Sequence, residues 1–206
     1  MVKGRKASDA LAIRPANKAS WDDLMAVLGP ARCHGKPCFC QRFKVRDRGW
    51  FTVDEEQLAH NLRTQTHCGQ PAAKHTSGLV AYLDSEPVGW CAVAPRLEHP
   101  NLILNRMLSA GRDEDLSDPG VWAATCFIIR KGYRGRGYTY ALAQAAVDFA
   151  RQRGARALEG YAMRTEPGKT ITWGELHVGS YNIFVAVGFK PVSQPSKRRV
   201  VMRIDF

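Results

Sequence analysis

Apolar residues along this chain switch between helical and strand-like spacing, and the switches predict a mixed series of helices and strands. A Ser-x-x-Asp capping signal at Ser20 precedes apolar positions at helical intervals and predicts a first helix, which Gly29 ends. Leu58 and Leu62 give a second helix its inner face. Apolar runs on either side of the turn 84–87 indicate an antiparallel hairpin.

Taken in chain order, the pattern indicates a mixed α/β fold. It predicts a strand over 11–13, helices from Ser20 and over 53–68, strands over 79–83 and 88–93, a short helix over 102–108, a strand over 121–129, a helix from Thr139 to Arg153, a strand over 157–161, a helix over 177–187, and strands over 189–192 and 200–204. A hairpin followed by a strand–helix–strand unit is consistent with one domain over residues 1–206. We expect residues 1–9 to form a disordered basic lead.

The stretch from Cys126 to Arg153 has the clearest chemistry. A short apolar strand leads through the glycine-rich turn 132–137 into a helix. The first N–H groups of a helix have no partner within it and carry partial positive charge, so such a turn can bind an anion. Arg134 and Arg136 add fixed positive charge. The glycine spacing fits neither a P-loop nor a dinucleotide fingerprint, and a solvated basic turn is the alternative interpretation.

Composition narrows the classes of partner. The chain is 45% hydrophobic and 24% charged, which is ordinary for a globular protein, and none of its apolar runs approaches a membrane span. The N-terminal residues lack an apolar signal core, so we expect a cytoplasmic protein that does not interact with membranes. The net charge of +11 favours an anionic partner, which is either a phosphorylated cofactor or nucleic acid.

The segment 31–51 contains Cys33, His34, Cys38 and Cys40. Thiolates and imidazoles are zinc ligands, but the C-x4-C-x-C spacing is not that of a structural zinc site. We therefore predict no metal, and we expect these cysteines to be reduced. They pack as small hydrophobic residues or line a substrate pocket.

Three further segments lie in a recognisable order. Residues 134–139, RGRGYT, have the form Q/R-x-x-G-x-G/A, with Thr139 in place of the last small residue. Residues 84–90 form an acidic turn followed by a hydrophobic–Gly pair, and Gly188 precedes Phe189 at the end of the last helix. Together these segments resemble the GNAT superfamily of acyl-coenzyme A N-acyltransferases. The Cys-Phe-Cys segment and CFIIRKGYRGRG resemble a bacterial subgroup of unassigned substrate.

The resemblance implies a mostly antiparallel central sheet, flanked by helices, with one splayed strand pair at an acetyl-coenzyme A site. In such a site the strand backbone faces the pantetheine arm, and the glycine turn holds the pyrophosphate. His177 takes a position where an Asn often touches the cofactor. The implied cofactor-binding residues are Phe127, Ile128, Ile129, Arg134, Gly135, Arg136, Gly137, Tyr138, Thr139 and His177.

The resemblance leaves the acid and the base of the reaction open. Many family members have a Tyr acid where this chain has Phe184, so Tyr181, Ser180 and His177 are the candidates for the acid. Glu159 is a candidate base because burial in an apolar strand would raise its pKa. A structural role for Glu159, with a water chain as base, is the alternative. Cys126 as a nucleophile, with His34 or His177 as base, is disfavoured because direct attack by an amine needs no covalent enzyme.

These observations favour an N-acetyltransferase that moves an acetyl group to a small-molecule or peptide amine by direct attack in a ternary complex. A basic nucleic-acid-binding module and a catalytically inactive coenzyme A-binding fold are the alternatives. Nucleic acid is the weaker partner, because no run of aromatic residues interleaves the basic ones. The acidic loop 112–118 hints at a cationic acceptor or a lid. We also consider a homodimer.

Overall fold

The structure is a computed structural model that describes residues 10–33, 35–105, 108, 111–165, 168 and 170–206, with the side chains of residues 47 and 48 excepted. The predicted basic lead over 1–9 lies outside the described residues, as does His34. No helix within the described ranges is long and apolar enough to cross a membrane.

Strands and helices alternate irregularly along the described chain. The elements are β1 (Leu11–Pro15), α1 (Trp21–Leu28), β2 (Arg32–Cys33), β3 (Lys36–Pro37), α2 (Glu55–Thr66), β4 (Leu79–Leu83), β5 (Glu86–Pro95), α3 (Pro100–Leu104), β6 (Val121–Ile129), α4 (Tyr138–Gln152), β7 (Ala157–Met163), α5 (Trp173–Leu176), α6 (Tyr181–Ala186), β8 (Lys190–Ser193) and β9 (Arg199–Asp205). Short 3-10 turns cover Gln41–Phe43 and Arg96–Glu98.

The main sheet has seven strands in the order β1-β4-β5-β6-β7-β9-β8, and β2 pairs only with β3. All neighbouring strands of the main sheet are antiparallel except β6 and β7, which are parallel. The predicted mixed, mostly antiparallel sheet flanked by helices is therefore confirmed. Its hairpin turn forms because Asp84 and Ser85 both adopt positive φ angles, the geometry that two-residue hairpins favour.

The parallel pair β6 and β7 separates partway along its length. Register pairing runs from Val121–Ala157 to Ala124–Gly160 and then stops. Beyond that point the segment 177–179 enters between the strands. The N–H of Phe127 on β6 donates to the His177 carbonyl at 2.6 Å, and the N–H of Met163 on β7 donates to the Gly179 carbonyl at 2.9 Å. The splayed pair thus encloses a gap that this segment partly fills.

Helices cover both faces of the sheet. Leu142 and Ala146 of α4 and Phe184 of α6 pack in one core cluster with Phe127. On the opposite face α1, α2 and the cysteine-rich segment pack in a second cluster that contains Trp90 and Ile128. Side chains alternate between faces along a strand, so neighbouring residues of β6 contribute to different cores.

Two predicted helices differ from the structure. Of the helix expected over 177–187, only Tyr181–Ala186 (α6) is helical; residues 177–180 form a connection from α5, which ends at Leu176, before the predicted range begins. The break lies at Gly179, whose φ of +96° is incompatible with a helix and whose carbonyl bonds to β7. The helix expected over 102–108 begins earlier, at Pro100, and the structure describes it as far as Leu104. Proline is favoured at the first helical position because its missing N–H would have no partner there.

Candidate active site

A cavity of about 410 Å³ lies where β6 and β7 separate. It combines strand residues, the glycine-rich turn, the start of α4, and the segment from α5 to α6. Its lining consists of Phe127, Ile129, Tyr133, Arg134, Gly135, Gly137, Tyr138, Thr139, Tyr140, Trp173, Leu176, His177, Gly179, Ser180 and Ile183. Most of these residues are apolar or aromatic, as is usual for sites that enclose a small molecule.

The glycine-rich turn presents open backbone to this cavity. Gly135 and Gly137 have φ angles of +76° and +80°, which side chains rarely adopt, and a Cβ atom at either position would meet nothing within 4 Å. These glycines are therefore needed for backbone conformation rather than for close packing. Gly137 is the residue before α4, and no side chain caps the helix there. The first N–H groups of α4 remain available for an anion.

The two arginines of the turn have different positions. Arg134 lines the cavity and donates from Nε to the Ile129 carbonyl at 2.9 Å. Arg136 does not line it. Its guanidinium lies 5.7 Å from the centre of the Tyr133 ring and donates to the Gly132 carbonyl. Of the predicted pair, the structure brings only Arg134 to the cavity wall.

The predicted cofactor-binding residues of β6 do not all face the cavity. Phe127 and Ile129 line the cavity. Ile128 pairs with Trp90 of β5, and its side chain packs in the core on the opposite face. The N–H of Phe127 already donates to His177, so the edge of β6 is partly occupied by this chain's own backbone.

His177 is held by several contacts at the inner part of the cavity. Its Nδ1 lies 2.9 Å from the Gly174 carbonyl, so in the neutral ring Nδ1 carries the proton and Nε2 is the acceptor nitrogen. The ring lies 6.2 Å from that of Trp173 and 6.3 Å from that of Phe43. Phe43 packs on the sheet face opposite α4. His177 therefore connects the cavity with the far side of the splayed strands.

The two other candidates on α6 are placed differently. Ser180 lines the cavity at the start of α6, and its hydroxyl makes no capping hydrogen bond. Tyr181 does not line it, because its ring lies 4.1 Å from the guanidinium carbon of Arg164. Phe184 is fully buried, and a Cβ atom at Gly160 would lie 2.2 Å from its ring. Phe184 is thus a core residue whose place depends on a glycine in β7.

Glu159 does not line the cavity but lies in a buried ion-pair network. Its carboxylate contacts Arg96 at 3.2 Å, Arg203 at 3.5 Å and also Arg112, and it accepts from the Tyr161 hydroxyl at 2.8 Å. Burial opposes ionisation, but the hydrogen bond and charge of Arg112 and the charge of Arg96 outweigh it and lower the pKa of Glu159. The expectation of a raised pKa is therefore wrong, because these arginines come from distant parts of the chain.

The same network contains the acidic loop. Glu114 forms ion pairs with Arg96, Arg112 and Arg203, and the Arg96 guanidinium also donates to the carbonyls of Asp115 and Leu116. Glu114 is thus neutralised by arginines, and the loop backbone at Asp115 and Leu116 is tied to Arg96. The loop therefore gives little support to a cationic acceptor or a mobile lid.

All six cysteines are free thiols, and all are buried. None is among the cavity-lining residues. The described residues contain no group of three or more His, Cys, Asp or Glu side chains that could hold a metal. A hydrogen bond with Cys40 and burial raise the pKa of Cys126 well above its usual value, so this thiol stays protonated and is a poor nucleophile.

Sequence reasoning missed several residues of the cavity. Trp173, Leu176 and the aromatic rings of Tyr133 and Tyr140 line it. Trp173 directly follows Thr172, the N-cap of the Thr172-x-x-Glu175 capping box, a local signal that could have placed a helix start beside the site.

Comparison with solved structures shows the same fold at low sequence identity. A GCN5-related N-acetyltransferase from Kribbella flavida aligns with a TM-score of 0.54 and 19% identity, over 96% of this chain and 98% of that one. The putative acetyltransferase YncA from Salmonella typhimurium, solved with acetyl-CoA, aligns with a TM-score of 0.53 and 14% identity, over 96% and 94%. The PaiA N-acetyltransferase from Thermoplasma acidophilum, in complex with coenzyme A, aligns with a TM-score of 0.50 and 12% identity, over 96% and 99%.

No curated protein matches the chain significantly. The family model described as acetyltransferase (GNAT) family matches residues 42–165, which is more than half of the chain and includes the splayed strands, the glycine-rich turn and α4. The chain therefore belongs to the GNAT family of acetyltransferases.

Proposed function

We propose that this protein is an N-acyltransferase that uses acetyl-CoA and transfers the acetyl group to an amine in a ternary complex. The observation that carries the proposal is the cavity between β6 and β7, which the open glycine-rich turn at the start of α4 borders. Family membership supports the class of reaction. The Salmonella and Thermoplasma neighbours are complexes with acetyl-CoA and coenzyme A, which supports the choice of cofactor.

The residues around the cavity fit such a cofactor. The N–H groups of Gly135, Gly137, Tyr138 and Thr139 would hold the pyrophosphate at the start of α4, where the helix dipole favours negative charge. Arg134 would add a fixed charge beside them. The apolar wall from Ile129 to Phe127 would face the pantetheine arm. When bound, the cofactor supplies the thioester whose acetyl group is transferred.

His177 and Ser180 are the predicted candidates that line the cavity, and in this proposal they handle the protons. The amine nitrogen attacks the thioester carbonyl carbon, so a C–N bond forms and the C–S bond breaks. His177 Nε2 takes the proton that the amine loses, and its Nδ1–H stays on the Gly174 carbonyl. The Ser180 hydroxyl would donate a hydrogen bond to the departing sulfur, and the proton held by His177 would pass to that sulfur, so that coenzyme A leaves as a thiol. Tyr181 could act as the acid only after its ring left the contact with the Arg164 guanidinium.

A calorimetric titration of acetyl-CoA tests the proposal. The wild-type protein should bind it, and Gly137→Val should bind it at least tenfold more weakly, because a branched side chain fills the open turn and opposes its positive φ. Gly154→Val is the matched control. Gly154 lies just beyond the other end of α4 with a φ of +78° and nothing within 4 Å of a Cβ atom, so the strain is similar but the site is remote. No binding by the wild type, or equal loss in both variants, would refute the proposal.

A further inference from the structure

Four arginines lie around the splayed end of β7. We call Arg42, Arg164, Arg198 and Arg199 the splay arginines. Arg164 and Arg198 are adjacent through a 2.8 Å backbone hydrogen bond, and Arg199 is the register partner of Met163 on β7. Arg42 comes from the cysteine-rich segment and donates to the Gly174 carbonyl in α5 at 3.2 Å.

Arg42 and Arg199 reach the splay from the sheet face opposite α4, whereas Arg164 lies over the Tyr181 ring of α6 on the α4 face. Arg199 lies two residues before Val201 on β9, so both side chains point to the same face of the sheet, where Val201 packs with Tyr161 and Ala123. The Arg199 guanidinium donates to the Tyr161 carbonyl at 3.0 Å, one residue past the last paired position of β7. Arg42 precedes Phe43, whose ring stacks near His177 in the cavity wall. None of the four arginines is among the cavity-lining residues, but Arg42 bonds to Gly174, which directly follows the lining residue Trp173, so the cluster lies next to the cavity wall.

The positive charge of the cluster is poorly compensated. Within the described residues, its one carboxylate contact is Glu175, which lies 3.1 Å from Arg198. Arg164 Nε and Arg198 Nη2 are buried, and among the described residues they have no hydrogen-bond partner. Burial and the nearby charge of Arg42 lower the pKa of Arg199 to about 10. Buried donors and like charges of this kind cost free energy unless an anion occupies the site.

We infer that the splay arginines bind the anionic group of the acceptor, so that the acceptor is an amine that also carries a carboxylate or a phosphate. Guanidinium groups suit both anions because their planar N–H donors can bind two oxygens at once. The cofactor's pyrophosphate is an unsuitable occupant, because its predicted place is the start of α4 on the other arm of the splay. The inference rests on the proposed N-acyltransferase function and replaces the cationic acceptor suggested by the acidic loop.

Matched pairs of amines test the inference, with thiol release from acetyl-CoA as the readout. β-Alanine is compared with n-propylamine, O-phosphoethanolamine with ethanolamine, and 1,4-diaminobutane serves as the cationic amine. We expect kcat/KM to be at least tenfold higher for one or both amines that carry an anionic group than for the partners that lack it. Arg199→Gln and Arg42→Gln should remove most of this preference by raising KM, and Arg199→Lys should retain part of it. Preference for the carboxylate or for the phosphate identifies the anion.

Arg151→Gln is the control, because it removes the same charge from the exposed end of α4, where Arg151 lies over Phe206. It should leave both the preference and acetyl-CoA binding unchanged. If no amine is turned over, the test uses binding of two product analogues to the coenzyme A complex, N-acetyl-β-alanine and the neutral N-propylacetamide. Tryptophan fluorescence measures the binding. The carboxylate should bind at least tenfold more tightly, and Arg199→Gln should abolish the difference.

Acetyl-CoA titration separates the two possible failures. If acetyl-CoA does not bind, the proposed function is wrong. If it binds but neutral or cationic ligands equal the anionic ones, the inference about the acceptor is wrong and the proposed function stands. Equal loss of preference in Arg151→Gln would also overturn the inference, since net charge alone would then explain the selectivity.

Discussion

Two groups of arginines lie beside the sheet, and they differ in how their charge is balanced. In the first group, Arg96, Arg112 and Arg203 surround Glu159 and Glu114, and Arg203 also contacts Asp205 at 2.7 Å. In the second group, the four splay arginines share Glu175 as their one carboxylate contact within the described residues. Arg199 and Arg203 represent the two groups on one strand, β9, and are separated by four positions.

The difference teaches which arginines stabilise the fold and which are available to a ligand. In the Glu159 group the guanidinium donors are directed at carboxylates and carbonyls, so the cost of burying charge is met within the protein. In the splay group two buried donors point at no described partner. A charged cluster that folding alone does not satisfy is a candidate ligand site.

The largest effect is expected when Glu159, the central carboxylate of the first arginine group, is replaced. Glu159→Gln keeps the shape of the side chain but leaves three arginines facing one fewer charge, so the free energy of unfolding should fall by about 3–5 kcal/mol. Urea unfolding measures the loss. Glu86→Gln is the control, because Glu86 also pairs with an arginine but is half-exposed at the hairpin. Its loss should be much smaller, and equal losses would contradict the assignment of a buried network.

Acid should lower the free energy of unfolding by protonating Glu159. The pKa of Glu159 is lower in the folded protein, so its ionisation contributes stability above its unfolded pKa of about 4.3. This contribution is lost as the pH falls from that value through the folded pKa, at up to about 1.4 kcal/mol per pH unit. In this window the wild-type protein should lose stability more steeply than Glu159→Gln. Parallel slopes for the two proteins in acid unfolding would show that Glu159 does not titrate as expected.

The glycine-rich turn was predictable because its signals are local. Positive φ angles at Gly135 and Gly137 and helical spacing after Thr139 depend only on neighbouring residues. The strand–helix–strand unit was predicted from local apolar spacing, and the structure shows that its two strands are parallel. The mostly antiparallel sheet was predicted through the family resemblance, and its hairpin from the alternation of apolar runs around Asp84.

The charge balance was not predictable from the sequence, because its partners are far apart in the chain. Arg96 lies 63 positions before Glu159, and Arg42 lies 132 positions before Gly174. Because the sequence does not reveal those contacts, it suggests that Glu159 is a base with a raised pKa. It also suggests that the acidic loop attracts a cationic acceptor. The extended segment at Gly179 was missed for the same reason, since its hydrogen bonds are made to β6 and β7.

An added anion should bind the splay arginines and stabilise the folded protein. Coenzyme A is first added in excess so that the glycine-rich turn is occupied, and inorganic phosphate is then titrated during thermal unfolding. At a tenfold excess over its dissociation constant, phosphate should add about 1.4 kcal/mol to the free energy of unfolding. Arg199→Gln should lose this increment, whereas Arg203→Gln, although less stable at the start, should keep it. A similar increment in both variants would place the phosphate elsewhere.

The smallest effect is expected for Arg199→Gln when no anion is present. The variant loses a partly buried charge beside Arg42, and the relief of repulsion offsets the loss of the hydrogen bond to the Tyr161 carbonyl. Its free energy of unfolding in low-salt buffer without phosphate should therefore lie within about 0.5 kcal/mol of the wild-type value or above it. Arg203→Gln, four positions along the same strand, should be clearly destabilised because Glu114 and Glu159 lose a partner. Urea unfolding of the two variants side by side makes the test, and a larger loss in Arg199→Gln than in Arg203→Gln would mean that the splay arginines, not the Glu159 group, stabilise the fold.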